Sequence, residues 1–445
     1  MKSYLIKAVQ VVNEGSITTC DVLIKNERFE RIDPVISNVN DAIEINGEGL
    51  HLLPGLIDDQ VHFREPGLTH KAEIYTEAKA AVAGGITSFM EMPNVVPQTL
   101  TQELLEAKYQ IGANRSLANY SFYMGASNNN LDEILKTDPA SVCGLKIFMG
   151  SSTGNMLVDD PKTLEDIFCN APTLIATHCE DEATIKANTQ KAIEQYGDNI
   201  PFSQHPIIRS EQACYLSSSA AIAFAQKCNA RLHILHISSG KETALFDNHT
   251  PLKKKKITSE ACIHHLWFTD KDYDEKGAMI KWNPAVKTAS DRDQIWAALL
   301  DNHIDVIATD HAPHTWNEKQ GDYLNAPSGG PLVQHALTAL LDKYHEGVVS
   351  IEKIVEKTSH AVADCFDVKE RGYIREGYYA DAVLVDLNNP WSVDKQNVLS
   401  KCGWSPFEGH TFKSSVLSTF VSGHLAYSRG QFDESILGKR LFFDR

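Results

Sequence analysis

Five apolar segments of this 445-residue chain end in side chains that bind divalent metals or can be modified to do so. Imidazole and carboxylate together suit Zn²⁺ or a similar cation. A single histidine in such a place is usually a hydrogen-bonded structural residue, but five endings in one chain favour a shared metal site. The five are His62 after GLIDDQV, Lys146 in GLKIF, His178 after TLIAT, His236 after LHIL and Asp310 after DVIAT.

Lys146 needs a separate argument, because an ammonium group repels a neighbouring cation. Lysine can react with CO₂ to form an anionic carbamate, whose two oxygens are able to bridge two metals. The reaction starts from the uncharged amine, which burial favours. We therefore expect N6-carboxylation of Lys146, the alternative being an ordinary surface or ion-pair lysine.

The elements that would position these side chains are strands alternating with helices. From about residue 54, short β-rich runs alternate with amphipathic segments, which is typical of repeated βα units. The runs are GLIDDQVH, GITSFMEMPN, ANYSFYMGAS, CGLKIFMG, TLIATHCED, RLHILHISS, KITSEACIHH and DVIATDHAPH. Eight parallel strands can close a barrel whose active site lies at their C-terminal ends. The sequence predicts an α/β fold with a (β/α)8 TIM-type barrel over residues 54–365.

The two ends of the chain have a different pattern. Residues 1–53 and the chain after about residue 366 contain short alternating strands and turn signals. Neither piece is large enough to form a comfortable core alone. We therefore predict that residues 1–53 and 366–445 pair into one composite small β domain beside the barrel.

Composition excludes several function classes. Lys and Arg total 42 against 58 Asp and Glu, a net charge of −16, which disfavours nucleic acid and anionic membranes as partners. The nine cysteines include no C-x-x-C pair, so neither a zinc ribbon nor a complete disulfide framework is indicated. The N-terminus is a poor signal peptide, and no apolar run approaches the roughly 18 residues that cross a bilayer. We expect a cytoplasmic protein that binds a small molecule.

Six segments, taken in order, resemble the amidohydrolase superfamily and, within it, the dihydroorotases. They are PGLIDDQVHFREPG, GLKIFMGSSTG, ATHCED, HILHISS, KWNPAVK and ATDHAPH. The resemblance covers nearly the whole chain, including the composite β domain. It implies a homodimer that catalyses zinc-dependent, reversible hydrolysis of (S)-dihydroorotate to N-carbamoyl-L-aspartate in de novo pyrimidine (UMP) biosynthesis.

The resemblance also implies roles for individual residues. Dihydroorotate carries a carboxylate that suits a planar, bidentate cation. Arg64 is predicted to be that cation, because it lies two residues after His62 on the same strand face. Asn94 and His314 match residues that share this carboxylate, although a strand-end cap and a supporting histidine are alternative roles. Asn283 matches a further substrate contact. Asp310 matches the base that takes a proton from water and passes it to the departing nitrogen.

Gln60 departs from the family pattern. The family usually has D-x-H-x-H, whereas this chain has DDQVH over residues 58–62. Strand alternation turns residues 58, 60 and 62 to one face, so Gln60 occupies the position of the first histidine. An amide oxygen is a poorer zinc ligand than imidazole, which makes Gln60 a doubtful metal position.

This substitution affects one of two predicted metal sites. The first site would keep His62, Asp310 and the carbamate of Lys146. The second site, with Lys146, His178 and His236, is complete. The hypothesis is one firmly bound zinc in the second site and a weaker or absent metal in the first.

Two other functions remain open. The metal motifs also resemble those of allantoinase and hydantoinase, which lack an obvious reason to keep Arg64. Gln60 would suit a non-catalytic homologue that acts as a scaffold for aspartate transcarbamoylase, although such a chain has no chemical need for the other ligands. Preference for allantoin would favour the first alternative, and failure to bind zinc would favour the second.

A few neighbouring positions have less certain roles. The polar, Gly-rich segment TWNEKQGDYLNAPSGGP, residues 315–331, fits a mobile lid as well as a surface loop. His264 and His265 are predicted to support the site or contact substrate, with core hydrogen bonding as the alternative. His205 and Arg209 fit a loop-to-helix entry without chemistry.

Overall fold

The structure, a computed structural model, describes residues 2–37, 39–150 and 156–445. Residues 151–154, the end of the GLKIFMGSSTG segment, lie outside the described residues. The described ranges contain a parallel barrel surrounded by helices and a mixed sheet built from both chain ends. This architecture confirms the predicted fold class.

The N-terminal strands form half of the mixed sheet. They are β1 (Ser3–Asn13), β2 (Ser16–Lys25), β3 (Arg28–Asp33), β4 (Ala42–Asn46) and β5 (His51–Pro54). Strands β1, β2 and β3 form an antiparallel meander, and β4 and β5 pair parallel to β1. Apolar residues on these strands, such as Ile6, Val22 and Phe29, are buried in the sheet's own core.

The barrel strands follow in chain order. They are β6 (Leu56–Val61), β7 (Ile86–Glu91), β8 (Asn119–Phe122), β9 (Met124–Gly125), β10 (Leu145–Phe148), β11 (Ile175–His178), β12 (Leu232–Ile234), β13 (Ile257–Cys262) and β14 (Val306–Ala308). Each predicted run contains a strand, and the third contains both β8 and β9. The paired strands are parallel. His62 N–H donates to the His311 carbonyl over 2.7 Å, which joins the chain after β6 to the chain after β14 and closes the barrel.

Helices cover the barrel. They are α1 (Ile74–Ala83), α2 (Gln102–Arg115), α3 (Leu131–Ile134), α4 (Pro161–Asn170), α5 (Glu182–Tyr196), α6 (His205–Ile208), α7 (Glu211–Cys228), α8 (Gly240–Thr243), α9 (Ile263–Trp267), α10 (Tyr273–Lys276), α11 (Ala289–Leu300), α12 (Trp316–Lys319), α13 (Ala336–His345), α14 (Ile351–Val355) and α15 (Ala361–Phe366). Several begin at a side-chain cap, as where the Thr101 side chain accepts a hydrogen bond from Leu104 N–H. A disulfide, Cys169–Cys228, joins the ends of α4 and α7. No spacing signal in the sequence indicated this pair, because the two cysteines are 59 residues apart.

The C-terminal strands complete the mixed sheet. They are β15 (Ala382–Asp386), β16 (Trp391–Ser392), β17 (Thr411–Phe412), β18 (Ser415–Val421), β19 (His424–Ser428) and β20 (Gln431–Phe432). Strand β15 pairs antiparallel with both β5 and β18, which joins the two chain ends. The segment between β16 and β17 reaches the barrel, where Trp404 Nε1 donates to the His314 carbonyl over 2.8 Å. No helix in the described ranges is long and apolar enough to span a membrane.

Candidate active site

A cavity of about 240 Å³ lies at the barrel mouth. Its lining includes the predicted metal ligands, the predicted substrate contacts and Gln60. These residues are Gln60, His62, Arg64, Asn94, Lys146, His178, His236, Asn283, Asp310 and His314. The structure therefore brings together every predicted metal ligand and substrate contact. The other lining residues are Phe148, Trp282, Ala312, Pro327, Ser328 and Gly329.

Two histidines face each other in this cavity. His178 Nδ1 and His236 Nε2 are 3.0 Å apart. Burial lowers the pKa of His178 and holds the pKa of His236 well below its usual range. Both imidazoles are therefore neutral at physiological pH, as metal ligands must be.

Glu180 and Arg209 support His178 from the other side. Glu180 Oε2 is 3.0 Å from His178 Nε2, and Arg209 forms a salt bridge with the same oxygen. Burial opposes ionisation of Glu180, yet Arg209 and His178 together lower the pKa of its carboxyl to about 2. An ionised Glu180 accepts the Nε2 proton of His178 and leaves Nδ1 with a lone pair towards the cavity. The sequence did not single out Glu180, and it assigned Arg209 to a loop-to-helix entry without indicating this ion pair.

Asp310 lies between His62 and Gln60. Its Oδ1 is 3.2 Å from His62 Nε2 and accepts a hydrogen bond from Gln60 Nε2 over 3.3 Å. The other nitrogen of the His62 ring, Nδ1, is 2.8 Å from Asn94 Oδ1. Because an amide oxygen only accepts, His62 Nδ1 carries the proton and Nε2 presents its lone pair to the cavity. Asn94 therefore orients His62.

Strand β6 does not keep strict alternation. A bulge places residues 58–61 opposite residues 89–91 of β7. Asp58 turns to Thr309, whose Oγ1 donates to Asp58 Oδ2 over 2.6 Å, while Gln60 and His62 line the cavity. The prediction that residues 58, 60 and 62 share one face is therefore wrong for Asp58.

Three cavity residues have left-handed backbone. The φ angles are 69° at Arg64, 42° at His236 and 49° at Asp310. Such a conformation costs side-chain-bearing residues about 1–3 kcal/mol each and is concentrated at functional sites.

Strand β6 ends at Val61, so Arg64 reaches the cavity from a loop and not by the strand alternation that the sequence suggested. Asp310 is supported by Trp282 Nε1, which donates to its carbonyl over 3.3 Å.

Lys146 lies on β10 with only 1% of its surface exposed. Its Nζ is 4.6 Å from the ring centroid of Phe148. Burial lowers the pKa of Lys146 to about 8. At neutral pH the reactive, uncharged amine is thus populated on the order of 10² times more than in a solvated lysine.

Arg64 and His314 form a second polar group of the cavity. Arg64 Nη2 is 3.0 Å from His314 Nε2, and Arg64 Nε donates to the Pro313 carbonyl over 3.0 Å. Burial lowers the pKa of Arg64 to about 10, which leaves the guanidinium charged at neutral pH. Within the described ranges Arg64 has no salt-bridge partner. A buried, uncompensated cation of this kind favours an anionic ligand.

The loop of residues 315–331 forms one wall of the cavity. Two buried lysines hold it through its carbonyl oxygens. Lys319 Nζ donates to Pro327 and Gly329 over 2.8 Å each, and Lys281 Nζ donates to Tyr323 and Ala326 over 2.6 Å each. Lys319 lies within the loop and so joins two parts of it, whereas Lys281 joins the loop to the segment that carries Trp282.

His205, His264 and His265 contact the segment that carries Trp282. The His264 ring stacks on Trp282 with centroids 4.4 Å apart, and His265 Nε2 donates to the Pro284 carbonyl over 3.1 Å. His205 Nε2 donates to the Trp282 carbonyl over 2.6 Å. These three histidines do not line the cavity. They support the segment that carries Trp282.

A separate buried group lies beside His236. Asp59, His233 and Glu260 have ligand-type atoms that all lie within 4.8 Å of one another, as a metal site would require. His233 Nε2 is 3.2 Å from Asp59 Oδ2 and 3.4 Å from Glu260 Oε2. Although burial alone lowers it, the two carboxylates raise the pKa of His233 to about 9. A protonated His233 thus compensates negative charge in this group. Glu260 Oε1 accepts a hydrogen bond from His236 N–H over 2.9 Å.

The barrel and the polar groups at the C-terminal ends of its strands are those of a (β/α)8-barrel enzyme. The family model described as "Amidohydrolase family" matches residues 51–426, and the chain belongs to this family. Within the family, the similarities described next identify its class as cyclic amidohydrolase.

Two similar proteins have different names. A protein named dihydroorotase from Halobacterium salinarum is 31% identical over 393 residues, which cover 86% of this chain and 88% of that protein. A protein named allantoinase from Deinococcus radiodurans is 30% identical over 443 residues, which cover 98% of this chain and 97% of that protein. Among solved structures, L-hydantoinase (dihydropyrimidinase) from Arthrobacter aurescens has a TM-score of 0.92 at 25% identity and covers 97% of this chain and 98% of that one.

Proposed function

We propose that this protein is a dihydroorotase, which hydrolyses the cyclic amide of (S)-dihydroorotate to N-carbamoyl-L-aspartate and closes the ring in pyrimidine biosynthesis. The observation that carries the proposal is the buried, charged guanidinium of Arg64 in the cavity. Dihydroorotate has a ring carboxylate that can pair with it, whereas the rings of allantoin and hydantoin have none.

Other cavity groups suit the same substrate. His314 lies beside Arg64 and would share the carboxylate with it, together with Asn94. Asn283 Oδ1 is buried and has no hydrogen-bond partner among the described residues. A buried acceptor of this kind is costly unless a ligand satisfies it, and a ring N–H of the substrate would do so.

The ligand atoms at the cavity also suit a divalent cation, which we propose is zinc. The imidazoles of His178 and His236 are both neutral, and His178 Nδ1 lies close to His236 Nε2. Carboxylated Lys146 would add an anionic oxygen. Asp310 and His62 would bind a cation at the first site. A cation held at the second site would supply the activation of water, whose pKa zinc lowers to about 7.

Asp310 is the proposed base. In hydrolysis its carboxylate takes a proton from the attacking water and delivers it to the departing ring nitrogen. Gln60 Nε2 orients this carboxylate through its hydrogen bond to Oδ1. Arg64 and His314 hold the substrate by its carboxylate, which keeps the amide carbon in reach of the base.

We further propose that the first metal site is weak or empty. Cys262 Sγ donates to Gln60 Oε1 over 3.6 Å, while the amide Nε2 of Gln60 points to Asp310. The amide therefore presents a donor at the first site, and a cation needs an acceptor. The homodimer and the cytoplasmic location remain predictions from the sequence.

Allantoinase is the second candidate, because a relative of that name is similar over 98% of this chain. The deciding experiment is steady-state turnover of zinc-supplemented and metal-stripped protein with dihydroorotate and with allantoin. Metal-dependent hydrolysis with preference for dihydroorotate supports the proposal, and preference for allantoin replaces it. No turnover together with no zinc binding would favour the non-catalytic scaffold.

A further inference from the structure

Lys71 contacts His314 on the side away from the cavity. Its Nζ is 3.0 Å from His314 Nδ1 and 2.9 Å from Glu318 Oε1. Only 15% of the Lys71 side chain is exposed. The proposed mechanism gives Lys71 no role, and the contact joins residues 243 positions apart in the chain.

This contact and the contact of the Ser328 carbonyl with the other ring nitrogen together determine where His314 carries its proton. An ammonium group only donates hydrogen bonds, so His314 Nδ1 must accept. A neutral imidazole has one N–H, which is then on Nε2. Burial, Arg64 and Lys71 hold the pKa of His314 well below its usual range, so the ring is neutral. Its Nε2–H donates to the Ser328 carbonyl over 2.9 Å.

The same assignment explains the contact between His314 and Arg64. The two nitrogens are 3.0 Å apart, but a guanidinium also only donates, so no hydrogen bond joins them. Instead, two donors lie side by side at the cavity. Two adjacent donors are what a carboxylate accepts, one for each oxygen, and a ligand carboxylate would replace the Ser328 carbonyl as the acceptor of the His314 Nε2–H.

Glu318 keeps Lys71 in place. Thr315 N–H and Thr315 Oγ1 each donate to Glu318 Oε2 over 2.9 Å, as part of the capping box of α12. The other oxygen, Oε1, is thereby directed to Lys71. Because Glu318 compensates the charge of Lys71, the effect of Lys71 on His314 is exerted through a hydrogen bond and adds little net charge to the cavity.

We propose that Lys71, oriented by Glu318, is a positioning residue that fixes the Nε2-protonated form of His314 and so completes a two-donor receptor for a ligand carboxylate. In the other tautomer, Nε2 presents a lone pair that repels a carboxylate oxygen. Lys71 therefore favours substrates with a ring carboxylate over neutral cyclic amides. The identity of the ligand rests on the proposed function, whereas the tautomer does not.

The kinetic test uses zinc-loaded full-length protein and two variants of Lys71. Lys71→Met removes the donor at similar length, and Lys71→Gln supplies a neutral donor. We expect Lys71→Met to raise KM for dihydroorotate and Ki for orotate at least tenfold with kcat within threefold, and Lys71→Gln to recover most of the loss. The matched control is Lys79→Met, because Lys79 lies on α1 and pairs with Glu434, away from the cavity. An unchanged KM, or a loss confined to kcat, overturns the proposal.

The second measurement is the tautomer itself. In ¹⁵N-histidine NMR, with the His314 signal assigned from a His314→Gln sample, we expect Nε2–H in the wild type and a weaker preference in Lys71→Met, where the Ser328 carbonyl alone favours this tautomer. An unchanged His314 signal in Lys71→Met overturns the proposal. If the wild type neither turns over dihydroorotate nor binds orotate, the proposed function fails, and this signal still decides the role of Lys71.

Discussion

Gln60 Nε2 donates a hydrogen bond to Asp310 Oδ1 at the position where the D-x-H-x-H pattern has its first histidine. The same oxygen of Asp310 lies 3.2 Å from His62 Nε2. Histidine at this position would present a lone pair to a cation, whereas the amide of Gln60 presents a proton to the carboxylate. Asp310 is thus oriented by a hydrogen bond from the position where the family pattern has a histidine.

The first prediction concerns metal content. Gln60→His would add an imidazole beside His62 and Asp310, and bound zinc should rise from about one to about two equivalents per chain. Elemental analysis after dialysis against a mild chelator measures this. Gln60→Leu, which removes the amide without adding a ligand, should stay at one. Two chelator-resistant equivalents in the wild type would contradict the prediction.

The second prediction concerns the base. Asp310→Asn keeps the shape and a hydrogen-bonding side chain but cannot take a proton, so kcat should fall by about 10²- to 10⁴-fold. The zinc of the second site and the melting temperature should be retained. Asp301→Asn is the control, because Asp301 is an exposed residue that pairs with His303. Residual turnover above about a tenth of the wild-type rate would refute the role of Asp310.

The barrel mouth could be predicted from the sequence because parallel strands end at one face. His62, His178, His236 and Asp310 are far apart in the chain, yet each follows or ends an apolar run, and the strand-end rule therefore brings them together. The substrate contacts Arg64, Asn94, Asn283 and His314 were predicted from the family resemblance, which implies a substrate with a carboxylate.

The supporting residues could not be predicted, because no local pattern links a side chain to a hydrogen-bond partner that is distant in sequence. Lys71 meets His314 through a loop after β6, and Arg209 meets Glu180 from the chain after α6. Only Glu180 had a signal, since it lies two positions after a predicted ligand. The β6 bulge also has no sequence signature, which is why the orientation of Asp58 was predicted wrongly.

The third prediction concerns zinc affinity. Glu180→Gln keeps the size of the side chain but removes the charge that holds the His178 proton on Nε2, so zinc affinity should fall about 10- to 100-fold. Competition with a chromogenic chelator measures the affinity. Glu165→Gln provides the control, because Glu165 forms an ion pair with Lys227 on the surface. Equal zinc affinity in Glu180→Gln and wild type would show that His178 does not depend on Glu180.

The last prediction concerns the loop wall. Lys319→Met removes the amine that donates to the Pro327 and Gly329 carbonyls, and leaves these acceptors without that donor. The free energy of unfolding in urea should fall by about 1–3 kcal/mol. Protease cleavage within residues 315–331 should become faster, and KM should rise because Gly329 lines the cavity.

Lys227→Met is the matched control, since Lys227 is an exposed lysine that pairs with Glu165 on the surface. Its free energy of unfolding should change by less than about 0.5 kcal/mol, because exposed ion pairs contribute little. If Lys319→Met were as stable and as protease-resistant as Lys227→Met, the Lys319 contacts would not be what fixes the loop. A higher KM with unchanged cleavage would instead mean that Lys319 affects Gly329 locally without fixing the whole loop.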